Sequence, residues 1–313
     1  MQRRYLPLIA GLFLVTALSA AAAEPIRHRI LAADSSKGRI AIISADGKTE
    51  WEHATRDLHD LHLLPNGNVL FQTSWTKLVE VDPKANNKIV WSYDSAAPNK
   101  RVEVHAFQRL ADGVTMIVES GPARILEVDA TGRVLKQIAL KVNHPNAHSD
   151  TRLARKLDNG HYLVSHEADG VIREYAADGK VVWEFDVPLF GNARKGGHGP
   201  EAFGNQAFCA LRRKNGNTLI ATGNGHSVLE VTPAKEIVWK ITQRDLPGIT
   251  LAWVTTLQEL PSGNLVIGNC HAGPDNPQLI EVTRERKVVW TFKDFQRFGN
   301  GLSNALILDA PAR

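Results

Sequence analysis

The sequence predicts an all-β fold, a six-bladed β-propeller built from four-stranded antiparallel blades, and three observations predict it. A hairpin with a glycine turn is written five times, with turn glycines 46, 47, 56 and 47 residues apart, the period of a propeller blade. Each hairpin is followed by an apolar-Glu-apolar segment and then by a short apolar run that usually carries a tryptophan. The two chain ends supply, between them, the strands of one more blade.

The N-terminal segment "HRILAADSSKGRIAIISADGKTEWEH" (28–53) holds strands two to four of a blade that lacks its first strand. Five complete copies follow, beginning with "LHDLHLLPNGNVLF" (58–71). Their turns fall at Asn66-Gly67, Asp112-Gly113, Asn159-Gly160, Asn215-Gly216 and Ser262-Gly263, residue types that tolerate the positive φ of two-residue hairpin loops. Third strands carry Glu80, Glu127, Glu174, Glu230 and Glu281, and fourth strands carry Trp91, Trp183, Trp239 and Trp290, with Trp51 in the N-terminal segment. The copy at 102–138 has Leu135 where the tryptophan is expected. A residue that recurs in nearly every blade serves packing rather than chemistry. "GLSNALILD" (301–309) is a lone strand after the last copy; paired with the N-terminal segment it closes the ring and removes the open sheet edges.

The first 23 residues read as an export leader, with Arg3 and Arg4, an apolar core and small residues up to Ala23, which places residues 24–313 in the periplasm or outside the cell. The apolar run is too short to predict a membrane span, and no later stretch is long enough. Removing the leader lowers the formal charge from +4 to +2, and no Lys/Arg run interleaves with aromatics, which argues against a nucleic-acid partner. Cys209 and Cys270 either pair with each other or remain small buried hydrophobes, and their spacing excludes a cysteine metal framework.

Chemistry is expected on one face of the ring. His59, His105 and His148 stand near the starts of first strands in three successive blades and are the candidate catalytic residues. His53, His144 and His198 lie in or beside blade-to-blade connections, and His166, His226 and His271 follow second strands. Comparable first-strand places hold Asn205 or Gln206, Trp253 and Asn304. The mouth of the channel is therefore expected to be imidazole-rich with one aromatic wall, and Arg56, Arg101, Arg152 and Arg244 flank it as partners for an anion. His166-Glu167 is a second candidate, because a neighbouring carboxylate tunes an imidazole. Three imidazoles suit a divalent metal, zinc or copper. The long connection 188–205, with five glycines, Arg194, Lys195 and His198, reads as either a lid or a plain crossing. No phosphate-binding loop, G-x-S-x-G elbow, H-E-x-x-H motif or calcium loop is present, so no specific catalytic signature is offered.

"GKVVWEF" (179–185), "RLADG", "KLDNG" and "LPNGN" resemble the exported propellers grouped as PQQ-like repeat proteins. "LHDLHLLPNGN" also looks like the His-Asp start of the bacterial arylsulfotransferase propeller, which would imply phenolic sulfate esters and a channel histidine that accepts the sulfuryl group. This chain has no room for the β-sandwich domain that precedes that propeller, and only His59-Asp60 match its motif. The eight-bladed quinoprotein dehydrogenases fit less well, and bound PQQ is not expected. The leading expectation is a propeller that binds a small polar or anionic molecule, or an envelope protein, at a histidine-rich face. The alternatives are an enzyme at that face, by histidine group transfer or by metal-assisted lyase or hydrolase chemistry, and a purely structural assembly platform.

Overall fold

The computed structural model describes residues 27–98 and 100–309, which form six four-stranded antiparallel sheets. The expected leader lies outside the described residues. Blade 1 begins with β1 (Ile30–Asp34), β2 (Arg39–Ile43) and β3 (Thr49–Ala54). Blade 2 holds β4 (Leu61–Leu63), β5 (Val69–Gln72), β6 (Lys77–Asp82) and β7 (Lys88–Asp94). Blade 3 holds β8 (Glu103–Arg109), β9 (Thr115–Ser120), β10 (Arg124–Val128) and β11 (Val134–Ala139). Blade 4 comprises β12 (Ala154–Lys156), β13 (Tyr162–His166), β14 (Val171–Tyr175) and β15 (Val181–Asp186). Blade 5 comprises β16 (Cys209–Arg212), β17 (Thr218–Ala221), β18 (Val228–Val231) and β19 (Ile237–Ile241). Blade 6 comprises β20 (Trp253–Glu259), β21 (Leu265–Cys270), β22 (Leu279–Val282) and β23 (Val288–Phe292). The last strand, β24 (Leu302–Ile307), pairs antiparallel with β1, Ala305 opposite Ala32, and completes blade 1 as expected. No helix among the described residues is long and apolar enough to cross a membrane.

First strands lie innermost: β8 touches β12, β12 touches β16, and the chain of contacts runs on through β20 and β24 to β4. Six apolar clusters fill the spaces between neighbouring blades. Leu31, Ile40, Leu61 and Phe71 join blades 1 and 2, while Ile30, Leu279, Phe298 and Ile307 seal blade 6 against blade 1. Each blade is thus buried on both faces only once the ring has closed.

The five hairpin turns differ from the expected two-residue loops. Positive φ is confined to the glycine, between +81° and +87° at Gly67, Gly113, Gly160, Gly216 and Gly263. Gly67 N–H donates to the Leu64 carbonyl and Leu64 N–H to that of Asn68. This is the three-residue loop in which a left-handed glycine follows a tight turn.

The repeated glutamates and tryptophans are structural, as their recurrence implied. Glu80 pairs across the sheet with Trp91, Glu174 with Trp183, Glu230 with Trp239 and Glu281 with Trp290. Each such pair receives a basic side chain from the next blade. Arg109 reaches Glu80 at 2.9 Å and lies 4.9 Å from the Trp91 ring centre. Arg212 does the same at Glu174 and Trp183, and at the seam His28 contacts Glu281 and Trp290. In blade 3 the register corrects the sequence reading: Lys136, not Leu135, stands opposite Glu127 where the tryptophan would be, and its Nζ lies 5.5 Å from the Tyr162 ring centre.

Two glycines bring second-strand ends against the connections that begin their own blades. A Cβ on Gly121 (φ +88°) would stand 2.0 Å from the Arg101 carbonyl oxygen, and one on Gly223 (φ +55°) 2.0 Å from that of Gln206. Gly121→Ala and Gly223→Ala are each expected to cost at least ~1–2 kcal/mol, the left-handed penalty alone. Urea midpoints should fall in both, and by less in Gly47→Ala (φ +84°), where a Cβ meets nothing and only the backbone penalty applies.

Candidate functional site

The innermost strands are irregular where they meet the axis. β8 changes register between Val104 and Ala106, leaving His105 as an extra residue. β20 slips between Val254 and Leu257, freeing Thr255 and Thr256. β24 slips opposite β1 so that Ser303 stands between the paired Leu302 and Asn304. Such bulges re-aim side chains out of the ladder, and here they aim them inward.

A cavity of about 520 Å³ opens there, within the range of small-molecule sites. It is lined by Ser36, Lys37, Arg56 and Ser303 together with His59, His148, Arg152, His198 and His271. Trp75, Phe208 and Trp253 supply aromatic wall. Trp75 stands against the histidine cluster, its ring centre 5.1 Å from His59 and 5.3 Å from His148. In the same lining, His198 lies over Trp253 at 4.6 Å and beside His271 at 5.1 Å. His271 holds φ +60°, with its N–H donated to the Asn300 carbonyl, so its backbone is held in a conformation rare for a residue with a side chain.

The three first-strand histidines do converge. The His59 and His105 ring centres are 4.6 Å apart, His105 and His148 5.7 Å, and His59 and His148 6.2 Å. Burial, with His105 and Arg152 nearby, pushes the His59 imidazole well below its ordinary range. Burial and Arg152 do the same to His105. Both rings are therefore neutral at pH 7, and a neutral imidazole serves as base, nucleophile or metal ligand. His59 Nδ1 is buried with no hydrogen-bond partner.

Behind the cavity, Glu103 is fully buried. Its Oε2 lies 2.7 Å from His148 Nδ1 and 3.1 Å from His105 Nε2, and its Oε1 pairs with Arg101. Arg152 pairs with the buried Glu167, which also accepts from Gln206 Nε2 at 3.0 Å. Burial pushes the Glu167 carboxyl upward despite Arg152. Below His59, Asp60 ties four blades together: Arg155 donates to both its oxygens at 2.6 and 2.9 Å, and it accepts from the Phe107 and Leu61 amides and from Asn304 Nδ2. Burial opposes its charge, but Arg155 and His62 beside it hold the carboxyl far below the usual range.

A family model described as outer membrane protein assembly factor BamB matches residues 36–292. The chain belongs to this BamB-like, PQQ-repeat propeller family. No curated protein matches its sequence. A protein of unknown function from Bacteroides caccae superposes with a TM-score of 0.74 at 24% identity, over 90% of this chain and 98% of that one. Virginiamycin B lyase from Staphylococcus aureus, in a catalytically inactive form with quinupristin, superposes with a TM-score of 0.56 at 13% identity, over 85% and 84%. BamB from Moraxella catarrhalis has a TM-score of 0.45 at 15% identity, over 79% of this chain and 65% of that one.

In this BamB-like propeller six expected site residues line the cavity: His59, His148, Arg56, Arg152, Trp253 and His271. His105, Arg101, Glu167 and Gln206 stand directly behind them through Glu103 and Arg152. Two expectations fail. His166 is fully buried away from the cavity, its Nδ1 at 2.8 Å from the Asp150 carbonyl and its Nε2 at 2.8 Å from the Tyr175 hydroxyl. His226 is buried under the 188–205 connection, its Nε2 bonded to the Ala202 carbonyl at 2.6 Å. That connection is tied down by paired Lys195 and Phe203, with His198 reaching the cavity. Cys209 and Cys270 are free and buried. The sequence reading missed Glu103, Lys37, Trp75 and Phe208. Of these, only Glu103, two residues before His105 in a bulged strand, carried a usable signal.

Proposed function

We propose that this propeller binds a small anion bearing a flat apolar group, held in the axial cavity outside the cytoplasm. The observation that carries the reading is the convergence of basic and aromatic side chains on one cavity, where Lys37, Arg56 and Arg152 face Asp57 as the only acid in the lining. Arg152 is already matched by Glu167, and Lys37 Nζ donates to the Phe295 and Gln296 carbonyls. Among the described residues Arg56 has no carboxylate within ion-pair distance, which leaves its planar donor fork for a carboxylate, sulfate or phosphate. Trp75 and Trp253 suit the flat part of such a ligand. The leader-like N-terminus and the family description support a place in the envelope.

Calorimetric titration with a panel of aryl sulfates and aryl carboxylates tests this. Arg56→Ala and Trp253→Ala are each expected to weaken the best ligand about tenfold, or about 1.4 kcal/mol. Affinity unchanged in both variants, or no saturable binding across the panel, would count against it.

A second reading, docking of an envelope protein, is favoured by the outer rim. Ile89, Val90, Val134, Leu135, Val182 and Val238 are each about half exposed on the fourth strands of blades 2 to 5, and open edges with apolar side chains are templates for an added strand.

A further inference from the structure

We infer that Glu103, His105 and His148 form a site for one divalent transition ion, zinc or another ion with mixed nitrogen and oxygen preference, set against the cavity wall. One ligand atom from each lies within 4.8 Å of the others. Two of the separations, 2.7 and 3.1 Å, need to open only slightly, because two ligands ~2.0–2.1 Å from a tetrahedral zinc stand ~3.3 Å apart.

The hydrogen bonds of His105 also admit a metal-binding tautomer. His105 Nδ1 lies 2.7 Å from the Thr151 carbonyl, which can only accept, and 2.8 Å from Arg152 Nη1, which can only donate. In the tautomer protonated at Nδ1, Nε2 presents its lone pair to Glu103 Oε2, acceptor against acceptor. A metal ion resolves it directly. The Thr151 carbonyl is then the outer partner that fixes the tautomer of a metal-binding histidine, and Arg101, on Glu103 Oε1, leaves Oε2 free for the ion. Arg152, the other nearby cation, is matched by Glu167.

Beside this set, His59 Nδ1 is buried without a partner and its ring centre is 4.6 Å from that of His105. His148, half exposed at the cavity, leaves the ion reachable from solvent. Three protein ligands with an open fourth place are the arrangement of zinc sites that exchange a ligand rather than merely brace a fold.

The test titrates Zn²⁺ alone into untagged, chelator-stripped protein, with the visible absorption of Co²⁺ as a second readout. No organic anion is present, so this experiment and the ligand titration can fail independently. One saturable equivalent is expected. Glu103→Gln and His148→Asn should each weaken it by more than the ~10–100-fold that loss of an outer partner costs, while His144→Ala, a surface histidine paired with Asp169, leaves it unchanged. His105 is wholly buried and its replacement endangers folding, so the exposed His148 carries the decisive substitution. Absence of saturable uptake by the wild-type protein, or uptake unchanged in Glu103→Gln or His148→Asn, overturns the site.

Discussion

Asp60→Ala is expected to lower the unfolding free energy by about 3–5 kcal/mol, the cost of removing one partner of a buried ion pair. The carboxylate is completely buried, and its removal takes the ion-pair partner from Arg155 and an acceptor from two backbone amides and Asn304. Against a total stability of ~5–15 kcal/mol, that is the largest loss expected from a single side chain here. Asp60→Asn, which keeps the shape and loses the charge, should fall between Asp60→Ala and wild type. The pH profile is distinctive. A carboxyl held below its unfolded value contributes in full above that value, ~3.9, and its contribution disappears only as pH falls further. The gap between wild type and Asp60→Ala should therefore be constant from about pH 5 to 8 and close under stronger acid. Urea unfolding across that range measures it; a gap that already narrows near pH 6 would show that another group holds the axis.

Histidine burial sets a second, larger acid response at milder pH. Burial, with Arg173 nearby, moves His166 from 6.5 down to about 4. Because the folded value is the lower one, its contribution is complete above pH 6.5 and is lost as pH falls from there to about 4, close to ~3 kcal/mol for this residue alone. His59 and His105 are displaced in the same direction and add to the loss. Wild type should therefore weaken steeply between neutral pH and pH 4. His166→Gln should start less stable, since it disturbs the bonds to Asp150 and Tyr175, and lose less on acidification. Parallel profiles for the two proteins would mean that His166 does not titrate in this window.

The ring was legible because its determinants are local and repeated: a left-handed glycine, a glutamate opposite a tryptophan, an apolar alternation. Where the marker was missing, the register was misplaced by one residue, as Lys136 and Leu135 show. The site was legible only in part. His59 and His148 could be placed because they lie at the starts of first strands near the axis. Bulges cannot be read from alternation, so nothing in the sequence distinguished Ser303 or Thr255, which reach the cavity, from their paired neighbours. His226 and His271 both follow second strands and share a left-handed backbone. Their fates diverge because the long connection from blade 4 buries one under Ala202 and sets only the His198 ring beside the other, which lines the cavity, a difference set by residues far away in the chain.

The pairing of β24 with β1 carries a consequence for biogenesis. The wall residue Ser303 and the Asp60 partner Asn304 are synthesised only after the other five blades and belong to the longest chain closure in the molecule, which is slow to form. A chain cut before Ser303 lacks that part of the cavity wall, so the proposed ligand capture would report that β24 has been made and has docked on β1, and trimming past residue 301 would abolish it.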